Sequence, residues 1–262
     1  MKYAINSYYL DYPLINGRVF DVFTPKDIIK DTAIFIVHGG GWRGGSRQSF
    51  HKIMEAFCIR GYIVASTDYR LYAKDAFEQL SDIRAAYDRF VSILKDMNRP
   101  LKIAVYGESA GAHLASLLAF ANPNEVGEKN ELKNEWVKPC KVMLQATPID
   151  FAPFESMMPS IKSAMCSIAG DTYDNAPEIY EFLSPKKYIR KDNPPVFFME
   201  AEYENLFYSK HTKEVYLQHK EMGIDSKWKV YEGVEHGFFF DLDRIAQRQA
   251  LQDICDFIEG NF

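Results

Sequence analysis

The sequence predicts an α/β fold, a mostly parallel sheet with helices on both faces. Three observations carry this. Short runs such as residues 33–37 (AIFIV) and 63–65 (IVA) are apolar at every position, as strands covered on two sides are. Segments between such runs repeat apolar residues at spacings of three and four, the period of a helix face. The two kinds alternate along the chain, and strand–helix alternation implies parallel strands joined by right-handed crossovers. A length of 262 residues is within the range of one α/β unit, so a single domain over residues 1–262 is expected.

In chain order, strands are expected at 18–23, 33–37, 62–67, 102–106, 141–146, 196–200 and 227–231. One helix face is marked by Phe77, Leu80, Ile83, Tyr87, Phe90, Val91 and Leu94. Asp75 with Glu78 resembles a capping box at its start, and Pro100 lies just past its end. A last apolar stripe runs through Leu242, Ile245, Leu251, Ile254, Cys255 and Ile258. Two segments fit the alternation poorly. Residues 122–139 are polar and charged, and residues 148–191 are rich in Met, Pro and Ser. Both read as insertions over the sheet, of the kind that forms a small lid.

Composition excludes several function classes. Lys plus Arg is 31 against 36 for Asp plus Glu, a net charge of -5. The longest cationic runs, Lys186-Lys187 and Arg190-Lys191, are too short for a polybasic patch, so no nucleic-acid partner is expected. Cys58, Cys140, Cys166 and Cys255 form no C-x-x-C pair, which removes the zinc-ribbon and thioredoxin readings and leaves buried free thiols. The start, MKYAINSYYLDYP, has no apolar h-region, and no stretch approaches the ~18 apolar residues of a membrane span. A soluble cytoplasmic protein without a membrane partner is the expectation. No metal and no cofactor is implied; homo-oligomerisation is left open.

The chemistry begins where the strand at 102–106 enters Gly107-Glu108-Ser109-Ala110-Gly111 and a helix-compatible run follows. G-x-S-x-G between an apolar strand and a helix is the context that makes the motif a nucleophile turn. The serine sits on a sharp, strained bend, and its flanking positions must be small because neighbouring backbone passes close by. The strand at 33–37 ends in His38-Gly39-Gly40-Gly41-Trp42. Three consecutive glycines cost backbone entropy, and their use is close approach of main-chain N–H groups to a ligand. A phosphate loop is the other reading, but the lysine of G-x-x-x-x-G-K-[ST] is missing. Trp42 reads as a wall of the substrate pocket or as a core residue.

These two motifs, with Asp68-Tyr69-Arg70-Leu71 between them, resemble the α/β-hydrolase superfamily. The resemblance is to the esterase and lipase branch with an HGGG oxyanion loop, and to acetyl-esterase and sugar-ester deacetylase-like proteins within it. It covers nearly the whole chain and implies an eight-stranded, mostly parallel sheet with a serine nucleophile. By analogy, the oxyanion donors are the amides of Gly40, Gly41 and Ala110. Asp68 and Arg70 then support the oxyanion loop, and His38 holds it.

A serine hydroxyl needs a base. Of six histidines, His236 is the candidate. It lies in Gly233-Val-Glu-His-Gly-Phe238, between the strand at 227–231 and the last helix, and the resemblance places the catalytic histidine in a His-Gly-Phe loop. His113, just after the serine, reads as packing. His211 and His219 are eight apart, not the i, i+4 spacing of a helical metal site. The resemblance places the acid after the strand at 196–200. There this chain reads Glu200-Ala-Glu-Tyr-Glu204 and departs from the usual His-Gly-x-x-Asp at three positions. The matching slot is Glu204; Glu202 and Asp150 remain alternatives. Glu200 and Glu202 otherwise read as surface or loop carboxylates.

The expected activity is hydrolysis of a small carboxylic ester through an acyl-serine, with a small-molecule ester as partner and an acetylated sugar as the suggested substrate. An arylformamidase-type amide hydrolase is the second reading. A non-catalytic binding protein on a hydrolase fold is the third, motivated by the altered acid loop.

Overall fold

The computed structural model describes residues 3–10, 18–71, 73–151 and 157–262. Residues 152–156, part of the second expected insertion, lie outside the described residues. The strands are β1 (Tyr3–Tyr9), β2 (Val19–Pro25), β3 (Thr32–Val37), β4 (Val64–Thr67), β5 (Lys102–Glu108), β6 (Lys141–Gln145), β7 (Val196–Tyr203) and β8 (Lys227–Glu235). They form one eight-stranded sheet in the order β1-β2-β4-β3-β5-β6-β7-β8. β2 is antiparallel to both β1 and β4, and the remaining pairs are parallel.

Strand alternation sorts side chains to two cores. Ala33, Phe35 and Val37 face one core with Ile103 and Val105, while Ile34 and Ile36 face the other with Ala104 and Tyr106. The first core is covered by α2 (Ala76–Asp96), α3 (Ala110–Phe120), α4 (Pro159–Ala169), α5 (Pro177–Leu183) and α6 (Ser209–Glu221). The second is covered by α1 (His51–Ile59) and α7 (Ile245–Glu259). This is the doubly covered parallel sheet that uninterrupted apolar runs require.

Each difference from the sequence reading has a physical origin. β1 was not expected because its residues are mostly exposed; it is an edge strand fastened by ring stacking of Tyr3 on Phe23 and Tyr8 on Phe20. β7 and β8 run three and four residues further than expected, to Tyr203 and Glu235, through polar residues that no apolar pattern marks. α2 starts as expected, with Asp75 accepting the Glu78 N–H at 3.0 Å. Ile245, assigned to the last apolar stripe, is 80% exposed; it opens α7 before that helix reaches the core. Cys58 and Cys255 are buried free thiols, but Cys140 and Cys166 are only partly buried. Among the described residues no helix is long and apolar enough to cross a membrane, and no cluster of His, Cys, Asp or Glu is arranged to hold a metal ion.

The two expected insertions occupy different places. Residues 122–139 lie along α2. Asn134 bonds Asp88 at 2.9 Å, Trp136 packs on Tyr87, and Glu128 pairs with Arg84, both fully buried. Residues 157–191 build α4 and α5 over α3, with Met165, Ile168, Tyr180 and Leu183 in the first core. Arg43, just past the glycine run, reaches Ser167 on α4 at 3.2 Å.

Removing one partner of a buried ion pair strands the other charge in low dielectric. Glu128→Ala is expected to destabilise the fold by about 3–5 kcal/mol, measured by urea denaturation against the parent chain.

Candidate active site

The turn between β5 and α3 is a single residue. Ser109 has φ 51° and ψ −120°, a conformation unfavourable for a residue with a side chain. It is retained because both flanks are anchored: the Ser109 N–H bonds the Gln145 carbonyl at 2.9 Å, and the His113 N–H bonds the Ser109 carbonyl at 3.0 Å. The small flanking residues are a steric necessity. A Cβ at Gly107 would lie 2.5 Å from the Gly111 carbonyl oxygen, and one at Gly111 would lie 2.2 Å from the Val37 carbonyl oxygen. The turn can therefore approach the end of β3, from which the glycine run departs.

In that run Gly40 (φ 116°), Gly41 (φ 59°) and Trp42 (φ 63°) are all left-handed. A Cβ at Gly40 would meet the Gly44 carbonyl at 2.3 Å, whose chain turns back through a 2.9 Å bond from the Gly44 N–H to the Gly40 carbonyl. His38 stacks on Tyr69 at 4.4 Å, and the Tyr69 hydroxyl donates to the His38 carbonyl at 3.1 Å. Asp68 accepts the Arg47 N–H at 2.6 Å. Arg70 makes three bonds to buried Asp82, two from its guanidinium at 2.8 and 2.9 Å and one from its backbone N–H at 3.0 Å. Gln79 on α2 donates to the carbonyls of Trp42 and Arg70 at 2.8 and 3.0 Å. Asp82, Gln79 and Arg47 were not singled out in the sequence, because nothing local distinguishes a polar residue on a buried helix face from a solvated one.

Trp42 requires a correction. It is 1% exposed, its indole N–H donates to His113 Nδ1 at 3.1 Å, and its ring is edge-on to His113 and Phe151. The side chain is core, not an open pocket wall. The left-handed backbone at residue 42 turns it under the loop. His113 is packing as expected: burial pushes its pKa down to about 4, and its Nε2–H donates to the Leu183 carbonyl at 2.7 Å.

The remaining two expected residues arrive by strand register. β7 and β8 are parallel and pair Tyr203 with Glu235, so the next residue on each strand, Glu204 and His236, emerges side by side. His236 Nδ1 lies 2.7 Å from Glu204 Oε2, and Nε2 lies 2.8 Å from Ser109 Oγ. With Nδ1–H donating to the carboxylate, Nε2 carries the lone pair that accepts the serine hydroxyl. Glu204 also accepts the Leu206 and Phe207 N–H groups at 2.8 and 3.3 Å. The alternatives bond elsewhere: Glu202 accepts the Gly233 N–H at 2.7 Å, and Asp150 pairs with Lys186 at 3.0 Å.

The electrostatics separate the carboxyl groups. Burial alone would raise Glu204, but the His236 bond and charge, with the two N–H donors, outweigh it and hold the carboxyl below its ordinary range. Burial would lower His236, but the hydrogen bond and charge of Glu204 outweigh it and raise its pKa. Glu108, the variable residue of G-x-S-x-G, has its Oε1 3.9 Å from His236 Nε2, and burial raises its pKa. Glu200, expected as a surface or loop carboxylate, is 2% exposed, and burial pushes it up to about 7. An acidic residue in an otherwise apolar strand (VFFMEA) was the available signal.

The eight-stranded, mostly parallel sheet with helices on both faces is the α/β-hydrolase fold. The chain belongs to the BD-FAE family, an esterase-like group whose model matches residues 20–218. Among curated proteins it is similar to neutral cholesterol ester hydrolase 1 of Pongo abelii, 30% identical over 131 residues, 47% of this chain and 32% of that protein. Kynurenine formamidase of Drosophila melanogaster is 28% identical over 110 residues, 42% of this chain and 36% of that protein. The match to the probable carboxylic ester hydrolase LipM of Mycobacterium tuberculosis is 24% identical over 181 residues, 66% of this chain and 41% of that protein. The chain thus spans less than half the length of these curated relatives. Among solved structures, esterase B from Lactobacillus rhamnosis superposes with a TM-score of 0.82 at 15% identity, covering 99% of this chain and 86% of that one. A truncated carbohydrate esterase from gut microbiota gives 0.80 at 18% identity, covering 99% and 97%. At these identities the superpositions establish the fold.

Two outcomes are expected. Gly111→Ala drives a Cβ into two carbonyls of the β3 end, so the melting temperature should fall, read by thermal denaturation against the parent chain. If His236 acts as a neutral base, kcat/KM declines as pH falls through its raised pKa. Glu204→Gln removes the charge that raises it, so the acid limb should move to lower pH while kcat drops about 10³–10⁴-fold, read from a pH–rate series.

Proposed function

We propose that this protein is a serine hydrolase that cleaves a small carboxylic ester through an acyl-serine intermediate. The observation that carries the reading is the continuous relay from Ser109 Oγ through the His236 ring to Glu204, at 2.8 and 2.7 Å. His236 Nε2 takes the hydroxyl proton as Ser109 attacks the carbonyl carbon. The negative oxygen that forms is held by the amides of Gly40, Gly41 and Ala110, donors that cost no reorganisation because the loop is already bent. Imidazolium, stabilised by Glu204, protonates the leaving alkoxide. A water then enters, gives its proton to His236 and releases the acid. All the groups this sequence of steps uses belong to one domain, with α4 and α5 forming a small lid beside the glycine loop.

The names of the similar proteins, an ester hydrolase in two of the three cases, support an ester. An acetylated sugar is the substrate class we favour. The formamidase relative keeps the second reading in view, since a formamide carbonyl needs the same serine, base and oxyanion donors.

Ser109→Ala should reduce hydrolysis of p-nitrophenyl acetate by on the order of 10⁴-fold or more, and a fluorophosphonate probe should label the parent chain and not the variant. Retained turnover in the variant would end the assignment. An unlabelled parent would favour a binding protein on a hydrolase fold. Faster turnover of N-formylkynurenine than of acetyl esters would favour the formamidase.

A further inference from the structure

We propose that Glu200 is a positioning residue for His236, held as a neutral carboxylic acid so that Glu204 supplies the only carboxylate bonded to the imidazole. The proposal rests on the assignment of His236 as base and concerns how that base is set.

The hydrogen-bond inventory around Glu200 carries the argument. Its carboxyl lies on the face of β7 that meets α6, and Thr212 Oγ1 is 2.5 Å from Oε1. Thr212 Oγ1 also lies 2.9 Å from the Ser209 carbonyl and 3.3 Å from Trp228 Nε1. The carbonyl can only accept and the indole can only donate. Thr212 has one proton. If Glu200 is protonated, every group is served: Glu200 donates to Thr212, Trp228 donates to Thr212, and Thr212 donates to the Ser209 carbonyl. If Glu200 is ionised, the single Thr212 proton must serve it, the Ser209 contact is lost, and a buried charge has one hydroxyl as donor. Glu204 is the opposite case, with an imidazole and two backbone N–H groups on its oxygens. Two carboxyl groups four residues apart are thus driven to opposite protonation states, the arrangement by which neighbouring acids are given different roles.

Among the described residues the groups that face Glu200 are few. α6 presents Thr212, with Lys213 turned out over the Trp228 ring. β8 presents the Trp228 indole. The acid loop and the histidine loop contribute the charges of Glu204 and His236. Glu202, next on the same face of β7, is engaged by the Gly233 N–H. Protonated Glu200 ties α6 to β7 directly below the loop that carries Glu204. Ionised Glu200 would add a second negative charge near His236, favour imidazolium, and withdraw the free base from the reaction at a pH where it would otherwise be present.

The test compares the parent chain with Glu200→Gln, Glu200→Ala and Thr212→Val, by NMR titration of the His236 ring and by the pH dependence of kcat/KM for p-nitrophenyl acetate. Glutamine keeps the donor to Thr212 and cannot ionise. The His236 titration should stay where it is in Glu200→Gln, which reproduces the neutral acid. It should also stay in Thr212→Val, where the buried carboxyl has lost a hydroxyl that could solvate its charge and so remains neutral. Alanine should lower plateau kcat about tenfold by loosening the acid loop, and glutamine should restore most of that loss. A His236 titration that moves to lower pH in Glu200→Gln, which would show that a negative charge had been removed, or a glutamine variant as slow as the alanine variant, would overturn the proposal. The NMR arm needs no substrate. An unmoved titration in Glu200→Gln of a chain that hydrolyses no ester would therefore sink the hydrolase reading and leave the neutral state of Glu200 standing.

Discussion

Two stretches of backbone meet where Gly111 lies against the end of β3, with room for a hydrogen atom and nothing larger. Ser109 and the glycine run at 39–41 are separate pieces of chain, and their relation is set by how closely the first turn of α3 approaches the carbonyls of Val37 and His38. The strain at Ser109 belongs to the same constraint. A strand that becomes a helix within one residue forces that residue into a costly conformation. The cost is borne because β5 is hydrogen-bonded on both sides, by β3 and β6, and because α3 is buried along its whole length.

Around this junction polar groups are used to hold backbone more than to meet solvent. α2 contributes Gln79, which fastens the carbonyls of Trp42 and Arg70, and Asp82, which fastens Arg70 itself. Tyr69, Asp68 and Arg47 fasten the loop from the other side. A loop of consecutive glycines has high conformational entropy when free. In the proposed mechanism, its capacity to donate to a developing charge without rearrangement depends on these attachments. The same logic separates the carboxyl groups near His236: Glu204 is surrounded by donors, whereas Glu108 and Glu200 are mainly desolvated. One imidazole is thereby set among acids that do not share one protonation state.

Much of the architecture was legible in the chain. Seven of the eight strands follow from apolar runs, and the long helix with its Asp75 cap follows from spacing and capping chemistry. These features are local, and burial on both faces leaves a direct mark on composition. β1 was not legible, because an exposed edge strand carries no such mark. Trp42 was ambiguous for a related reason: an aromatic beside a glycine run packs inward or outward according to a backbone dihedral that composition does not encode. The motif slot pointed to Glu204, and chain order alone left Glu202 and Asp150 as alternatives because no local pattern says which carboxylate reaches the histidine.

The sequence by itself determined the chemistry available: a serine on a strand–helix turn, a run of glycines after a strand, a histidine in a glycine-flanked loop and several acids. The tertiary structure decided which acid meets the histidine. The parallel register that pairs Tyr203 with Glu235 extends both strands beyond their apolar stretches and delivers Glu204 and His236 to the same point. Register is a relation between two segments and cannot be read from either alone. The protonation of Glu200 was decided in the same way. Its side chain is identical to that of Glu204, and only the donors brought in by neighbouring helices and strands distinguish a buried acid from a carboxylate.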